Sequence, residues 1–151
     1  MGKGKEMGGE RMTAKEFLQQ GYKLNTRIKA KQERIEELRT IAEKSTQTLS
    51  AMPKGTNTGS RMEEIVARID ILQREIEDDL FDLLALKASI ERVVREIQEP
   101  DAALVLELRY LLYKPWQEIA EEMHYDVRQV YRLHGHALSL VNVPDKYRTC
   151  H

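Results

Sequence analysis

Two arginines near the C-terminus have a spacing that suits recognition of nucleic-acid bases. Arg128 and Arg132 are four residues apart, so on a helix both side chains project from the same face. An arginine can donate two parallel hydrogen bonds to the edge of a guanine base in the major groove. Gln129 matches adenine or phosphate, and the charges of Lys114 and Arg109 match the phosphate backbone. The alternative is that each arginine is a solvated charge on an exposed helix face.

No other group of residues has the spacing of a catalytic or metal-binding site. His134 and His136 are two residues apart on a predicted helix and point in different directions, so they do not form a metal-ligating pair. Cys150 is the single cysteine, which excludes an intrachain disulfide and favours an intracellular setting. There is no nucleophile beside a base and no glycine-rich phosphate loop after a strand. We therefore expect no enzymatic activity, no cofactor and no metal.

The segment that contains both arginines has the pattern of a helix-turn-helix unit. Residues 116–141 read WQEIAEEMHYDVRQVYRLHGHALSLV, which predicts a helix at 116–123, a tight turn and a helix at 127–141. Asp126 and Gln129 form a capping box at the start of the second helix. Small and apolar residues fall where the two helices would cross: Ile119, Ala120, Met123, Val130, Leu133, Ala137 and Leu138. In such units the N-terminal part of the second helix enters the major groove of DNA.

This segment resembles a known family. Residues 106–138, LELRYLLYKPWQEIAEEMHYDVRQVYRLHGHAL, are similar to the promoter-reading fourth region of bacterial primary-type sigma factors. They resemble more closely the small sigma-like regulators that phages and prophages of Gram-positive bacteria encode. TAKEFLQQ at 13–20 and LSAMPKG at 49–55 also look like that family. The resemblance implies binding of double-stranded DNA and control of transcription, with phage genes as the target, in the cytoplasm of a bacterial host.

Carried across position by position, the resemblance implies four residues that face the DNA groove: Val127, Arg128, Tyr131 and Arg132. The sequence departs from the family pattern at two positions. His124 stands where the turn usually has glycine, and a non-glycine residue takes a left-handed conformation at some cost. The second helix opens with Val127 rather than Arg or Glu. Residues 124–151 hold only four basic and two acidic residues, so specific binding would require a homodimer or delivery by RNA polymerase.

Two long helices are expected upstream of this unit. Capping boxes that start at Thr13 and Ser60 open helices over 13–50 and 60–98, with a breaker-rich turn between them. Apolar residues recur every three to four positions along both helices, which is typical of helix pairing. A turn of this length lets the second helix fold back on the first. The sequence therefore predicts an antiparallel, coiled-coil-like hairpin.

The charges agree with this pairing. Residues 1–55 hold twelve basic and seven acidic residues, whereas residues 56–99 hold six and eleven. Segments of opposite net charge attract each other when they lie side by side. With a turn centred between the two helices, we expect Leu38 to lie close to Leu80.

The second long helix has more apolar surface than one partner covers. Its main row, which we expect to face the first helix, contains Met62, Val66, Ile69, Ile76, Leu80, Leu83, Ile90, Val94 and Ile97. A flanking row contains Ile65, Leu72, Leu86 and Val93. Because a stripe this wide exceeds the contact of one helix pair, we expect the extra face to meet the C-terminal domain or a second subunit. A plain coiled-coil spacer is the simplest interpretation of the hairpin, and a partner-docking surface is the alternative.

The sequence as a whole predicts an all-α protein in which a long antiparallel helical hairpin precedes a C-terminal three-helix helix-turn-helix domain. Four parts are expected: a disordered arm at 1–12, the hairpin at 13–99, the helix-turn-helix domain at 100–144 and a flexible tail at 145–151. The third helix is expected over 102–113, after a break and a cap at Pro100 and Asp101. Translation starts at Met1 or at Met12. No apolar run reaches the length of a membrane span, so no membrane contact is expected.

The sequence is also compatible with a second function. In this alternative the chain is a coiled-coil interaction or assembly protein whose helix-turn-helix docks a protein, such as an RNA polymerase subunit or a phage packaging component. The two functions differ in what they require of Arg128 and Arg132. A DNA reader needs both side chains free, whereas an assembly protein allows them to be covered.

Overall fold

The computed structural model describes residues 12–49 and 58–148 of the chain. Within those residues the chain forms helices and no strand, so the prediction of an all-α protein is confirmed. The helices are α1 (Ala14–Leu49), α2 (Thr58–Arg95), α3 (Pro100–Tyr110), α4 (Trp116–Met123), α5 (Val127–Ser139) and α6 (Asp145–Arg148). In this part of the chain, none of the helices is both long enough and apolar enough to cross a bilayer.

The start of α1 follows from local hydrogen bonding. The Thr13 hydroxyl accepts the backbone N–H of Glu16 at 3.1 Å, and the Glu16 carboxylate accepts the backbone N–H of Thr13 at 3.1 Å. Met12, which precedes the helix, packs against the core that contains Phe17. The predicted capping box is therefore confirmed. At α2 the helix begins at Thr58, so Ser60 lies inside its first turn instead of capping it.

The described chain divides into two compact units, of which one is Leu24–Leu83. In this unit α1 and α2 form the predicted antiparallel hairpin. The Lys31 Nζ lies 2.7 Å from the Asp79 carboxylate, and farther along α1 Leu38 shares a shallow groove with Leu72. The predicted register is wrong, because Leu38 lies opposite Leu72 and not Leu80, a shift of about two helical turns.

The buried face of α2 in this unit combines residues of both apolar rows. Ile65 and Leu72 of the flanking row and Ile76 and Leu83 of the expected main row are buried, whereas Val66 and Leu80 of the main row are 63% and 47% exposed. Asp79 continues the flanking row at its heptad spacing, and its carboxylate pairs with Lys31 of α1. Their side chains are only 11% and 15% exposed, so each charge needs the other. This pairing is satisfied in one register only.

The second unit contains the residues up to Lys23 and those from Leu84 onward. Its largest fully buried side chains come from α1, α2, α3, α4 and α5: Phe17, Leu18, Ile90, Val105, Leu106, Ile119 and Val130. Helix α5 packs against both α3 and α4. One core thus includes the ends of the two long helices together with the three short helices.

Gly21 explains how α1 comes so near to the C-terminal helices. The residue is buried, and a Cβ at this position would lie 3.0 Å from the Tyr113 hydroxyl and 3.7 Å from the Leu86 side chain. The apolar pattern of α1 is interrupted at Gly21 because a larger side chain there would lie too close to Tyr113.

Several element ends differ from the predictions. Helix α2 ends at Arg95, and α3 already begins at Pro100, whose fixed φ suits the first turn of a helix; Glu99 is the N-cap in place of Asp101. Asp145–Arg148 forms α6, where a flexible tail was expected, and the Tyr147 ring packs on Phe17 with centroids 4.9 Å apart. The expected disordered arm, the translation start at Met1, the interhelical turn and the last three residues lie outside the described residues.

Candidate nucleic-acid interface

The turn between α4 and α5 has the geometry of a helix-turn-helix. His124 ends α4 in the left-handed conformation, with φ 60° and ψ 39°. The family that this segment resembles usually has glycine at this position. The Tyr125 N–H donates back to the Ala120 carbonyl at 3.0 Å, which closes the turn. Asp126 and Gln129 then form the predicted capping box, with bonds of 2.9 and 3.0 Å. Two reciprocal hydrogen bonds between Asp126 and Gln129 therefore fix the residue at which α5 begins.

The crossing of α4 and α5 is built from small and apolar residues. Ile119, Ala120, Val130 and Ala137 are all buried in the same core. Ala120 is 5% exposed and contributes only a methyl group, so the two helices can approach each other closely. This packing leaves the opposite side of α5 toward solvent.

Arg128 and Arg132 lie on that exposed side, in the N-terminal half of α5. Among the described residues, neither forms an ion pair or a hydrogen bond with a carboxylate. Both arginines are thus free cations one helical turn apart. The structure brings together the two residues that the sequence singled out first.

The other predicted groove-facing residues are more constrained. The Gln129 amide oxygen accepts the Asp126 N–H, which leaves only its amide NH₂ for another partner. Tyr131 is 51% exposed, and its ring packs edge-on against Trp116 with centroids 5.3 Å apart. Val127 is half-buried against the core. Of these three, Gln129 and Tyr131 are exposed and Val127 is half-buried.

Lys114 forms ion pairs with two carboxylates of α4. Its Nζ donates a short hydrogen bond to Glu122 and lies 3.9 Å from a Glu118 carboxylate oxygen. The bond to Glu122 raises the pKa of Lys114, with the charges of Glu122 and Glu118 adding to the effect. A phosphate contact by Lys114 would require it to exchange these partners.

Arg109 has a structural position that the sequence did not indicate. Its guanidinium carbon lies 4.7 Å from the centre of the Tyr22 ring and 4.3 Å from that of Trp116. One guanidinium nitrogen donates to the Lys114 carbonyl at 2.9 Å. Arg109 therefore joins α1, α3 and α4 through cation–π contacts and one hydrogen bond.

His134 is a buried polar link between α3 and α5. Its Nε2 lies 2.7 Å from the Tyr110 hydroxyl, and the two rings stack with centroids 5.6 Å apart. Burial lowers the pKa of His134 to about 4, helped by the positive charges of Lys15 and Arg109. Burial also raises the pKa of Tyr110 to about 12. His136, by contrast, points to Glu99 at 2.7 Å, so the two histidines have separate partners.

Comparisons with protein-family profiles, with curated proteins and with solved structures find no match to this chain. A function for this chain is therefore inferred from its residues and their geometry. That geometry consists of a capped helix whose two exposed arginines have no partner among the described residues, joined by a left-handed turn to the core that α1 to α5 share.

Proposed function

We propose that the protein is a DNA-binding transcriptional regulator that reads the major groove with α5. The observation that carries the proposal is the pair of exposed, unpaired cations Arg128 and Arg132 on the first turns of α5. A helix with a solvated outer face fits the major groove, and arginine pairs bidentately with guanine. The resemblance to sigma-like phage regulators agrees with this assignment. It suggests phage or prophage genes as targets, in the cytoplasm of a bacterial host.

Two of the remaining candidate residues have roles that follow from their surroundings. Tyr131 lies beside the two arginines and has an exposed ring, which suits contact with a sugar or a thymine methyl group. Gln129 keeps its amide NH₂ for a phosphate or a base acceptor. Because few cations surround α5, few phosphates would be contacted, so binding to non-cognate DNA should be weak and only modestly salt-dependent. A homodimer or RNA polymerase would then supply additional affinity.

The test is DNA binding by variants of single arginines. A site is first selected from fragmented phage DNA by electrophoretic mobility shift, and a scrambled duplex of equal composition serves as the reference. Arg132→Ala should cost about 1–3 kcal/mol on the selected site and relax the preference at one base position. Arg128→Ala should act in the same direction. Arg27→Ala, which removes an exposed arginine of α1, is the matched control and should leave both affinities unchanged.

Lys114→Ala separates backbone contacts from base contacts. If Lys114 leaves Glu122 for a phosphate, its loss should weaken all sequences alike and reduce the salt dependence by about one phosphate contact. Equal losses on both duplexes for Arg132→Ala would reassign that residue to the backbone. Unchanged binding in all three variants, with the helical spectrum intact, would contradict DNA reading by α5.

A second function is favoured by a different observation. In the unit Leu24–Leu83, α2 carries apolar side chains that α1 does not cover, and Phe81 is the most exposed at 79%. Exposed apolar side chains of this size are typical of surfaces that bind another protein. An assembly protein with a helical partner would use this face and leave α5 without a DNA role. Phe81→Ser should then abolish partner binding, whereas DNA affinity would be unaffected in either case.

A further inference from the structure

A cleft of about 520 Å³ opens beside α5, in the unit that contains the residues up to Lys23 and those from Leu84 onward. Its walls come from the first turns of α1, from the end of α3, from α4 and from α5. Small-molecule sites in proteins commonly have volumes of about 300–1,000 Å³. The cleft is thus large enough for a ligand of moderate size, and the predictions from sequence did not include it.

The charge of this cleft has one sign. Three of its lining residues are cations, namely Lys15, Lys23 and Arg109, and none is a carboxylate. Lys15 and Lys23 are exposed and form no ion pair among the described residues. His134 also lines the cleft; burial is the main cause of its lowered pKa, and the charges of Lys15 and Arg109 add to it. The chain has 25 acidic residues, but none of them is among the described residues that line this cleft. A cleft with cations and no carboxylate favours an anionic ligand.

The remaining walls are aromatic. Tyr22, Tyr110, Trp116 and Tyr131 all line the cleft. Trp116 and Tyr131 keep part of their surface open, and Arg109 is fixed against Trp116 from the side of α3. Planar rings offer a stacking surface to a planar ligand, and such stacking contributes about 1–3 kcal/mol for a nucleic-acid base. Phosphate alone would need the cations but not these rings.

We propose that this cleft binds a nucleoside phosphate, with the phosphate between Lys15 and Lys23 and the base against Trp116 and Tyr131. The cleft does not include the arginines proposed to read the major groove, although Tyr131 belongs to both proposed sites. A duplex meets an exposed helix face and does not require a concave aromatic surface. The inference thus holds whether or not α5 reads DNA. The same chemistry is available from a free mononucleotide and from a nucleotide of a single strand.

Trp116 makes the test direct, since it is the single tryptophan of the chain. Its fluorescence, excited at the red edge of its absorption, is followed while adenosine monophosphate, uridine monophosphate, adenosine or inorganic phosphate is added to the full chain. We expect a saturable change with both monophosphates. Adenosine and phosphate should each bind at least about tenfold more weakly, because each satisfies only one half of the site. Calorimetric titration of the same four compounds gives an independent readout.

Variants then locate the site. The double variant Lys15→Ala/Lys23→Ala should weaken binding of the monophosphates about tenfold or more, and Tyr131→Ala should weaken them by several fold. Lys29→Ala, which removes an exposed lysine of α1 that does not line the cleft, is the matched control and should have no effect. Oligothymidylate distinguishes the source: tighter binding than the monophosphate indicates a strand, and equal binding indicates a free nucleotide.

Two results would overturn the proposal. One is the absence of a saturable signal in both fluorescence and calorimetry with every monophosphate and with oligothymidylate. The other is binding that the double lysine variant retains at full strength, with its helical spectrum unchanged. Neither result depends on Arg128 or Arg132, so failure here leaves the proposed DNA-binding function to its own test.

Discussion

The ion pair between Lys31 and Asp79 should control both the stability and the register of the hairpin. The two charged atoms are 2.7 Å apart, and the side chains are 15% and 11% exposed. At an effective dielectric constant of about 20, their attraction is about 6 kcal/mol, and the desolvation of both ions offsets most of it. The intact pair is thus close to neutral in free energy compared with an apolar pair of similar size. Breaking it is costly, because the remaining charge stays buried without a partner.

The expected magnitudes follow from this asymmetry. Lys31→Met and Asp79→Leu should each reduce the free energy of unfolding by about 3 kcal/mol, the lower end for a buried pair since both side chains keep some exposure. The double variant should recover to within about 1 kcal/mol of the original chain or exceed it. The coupling free energy between the two positions is therefore expected to be several kcal/mol.

Urea unfolding followed by far-UV circular dichroism measures these differences. The exposed pair Glu64 and Arg68, one helical turn apart on α2, is the matched control in the same unit. Its coupling should be only about 0.3–0.5 kcal/mol. If the changes at Lys31 and Asp79 were additive and as small as those of the control pair, the pair would not determine the register.

Three further predictions concern the C-terminal core. Ala120→Leu should reduce the free energy of unfolding by about 1–3 kcal/mol through overpacking at the crossing of α4 and α5, as measured by urea unfolding; no change would mean that the helices do not cross there. Tyr113→Phe should be neutral or stabilising by about 1 kcal/mol, since the buried Tyr113 hydroxyl has no hydrogen-bond partner among the described residues, and a clear loss of stability would contradict this. The pKa of His134 is lowered to about 4 from 6.5, so its contribution to stability is complete above pH 6.5 and is lost as the pH falls toward 4. This loss, on the order of 3 kcal/mol, should be absent in His134→Gln, and identical pH profiles for the two chains would contradict it.

Local features of the fold could be read directly from the sequence. The capping boxes at Thr13 and Asp126 were predicted correctly because each involves hydrogen bonds over three residues, which the adjacent side chains alone determine. The bounds of α4 were also predicted, since a proline precedes it and a tight turn follows it. The left-handed conformation at His124 agrees with the family resemblance, which places glycine at this turn position. In each case the interacting groups are neighbours along the chain.

The tertiary structure decided which residues meet across the helices. The main apolar row of α2 was expected to face α1, but the buried face combines both rows, with Leu72 of the flanking row and Ile76 of the main row buried. The register also depends on the pairing of Lys31 with Asp79, 48 residues away. Lys114 was predicted to contact the phosphate backbone of DNA, but the packing of α4 places Glu122 beside it. Likewise, Lys15 joins Trp116 around one cleft only because α1 packs on the C-terminal helices. Hydrophobic periodicity specifies that a helix has a buried face, whereas the side chains opposite that face depend on how distant helices fit together.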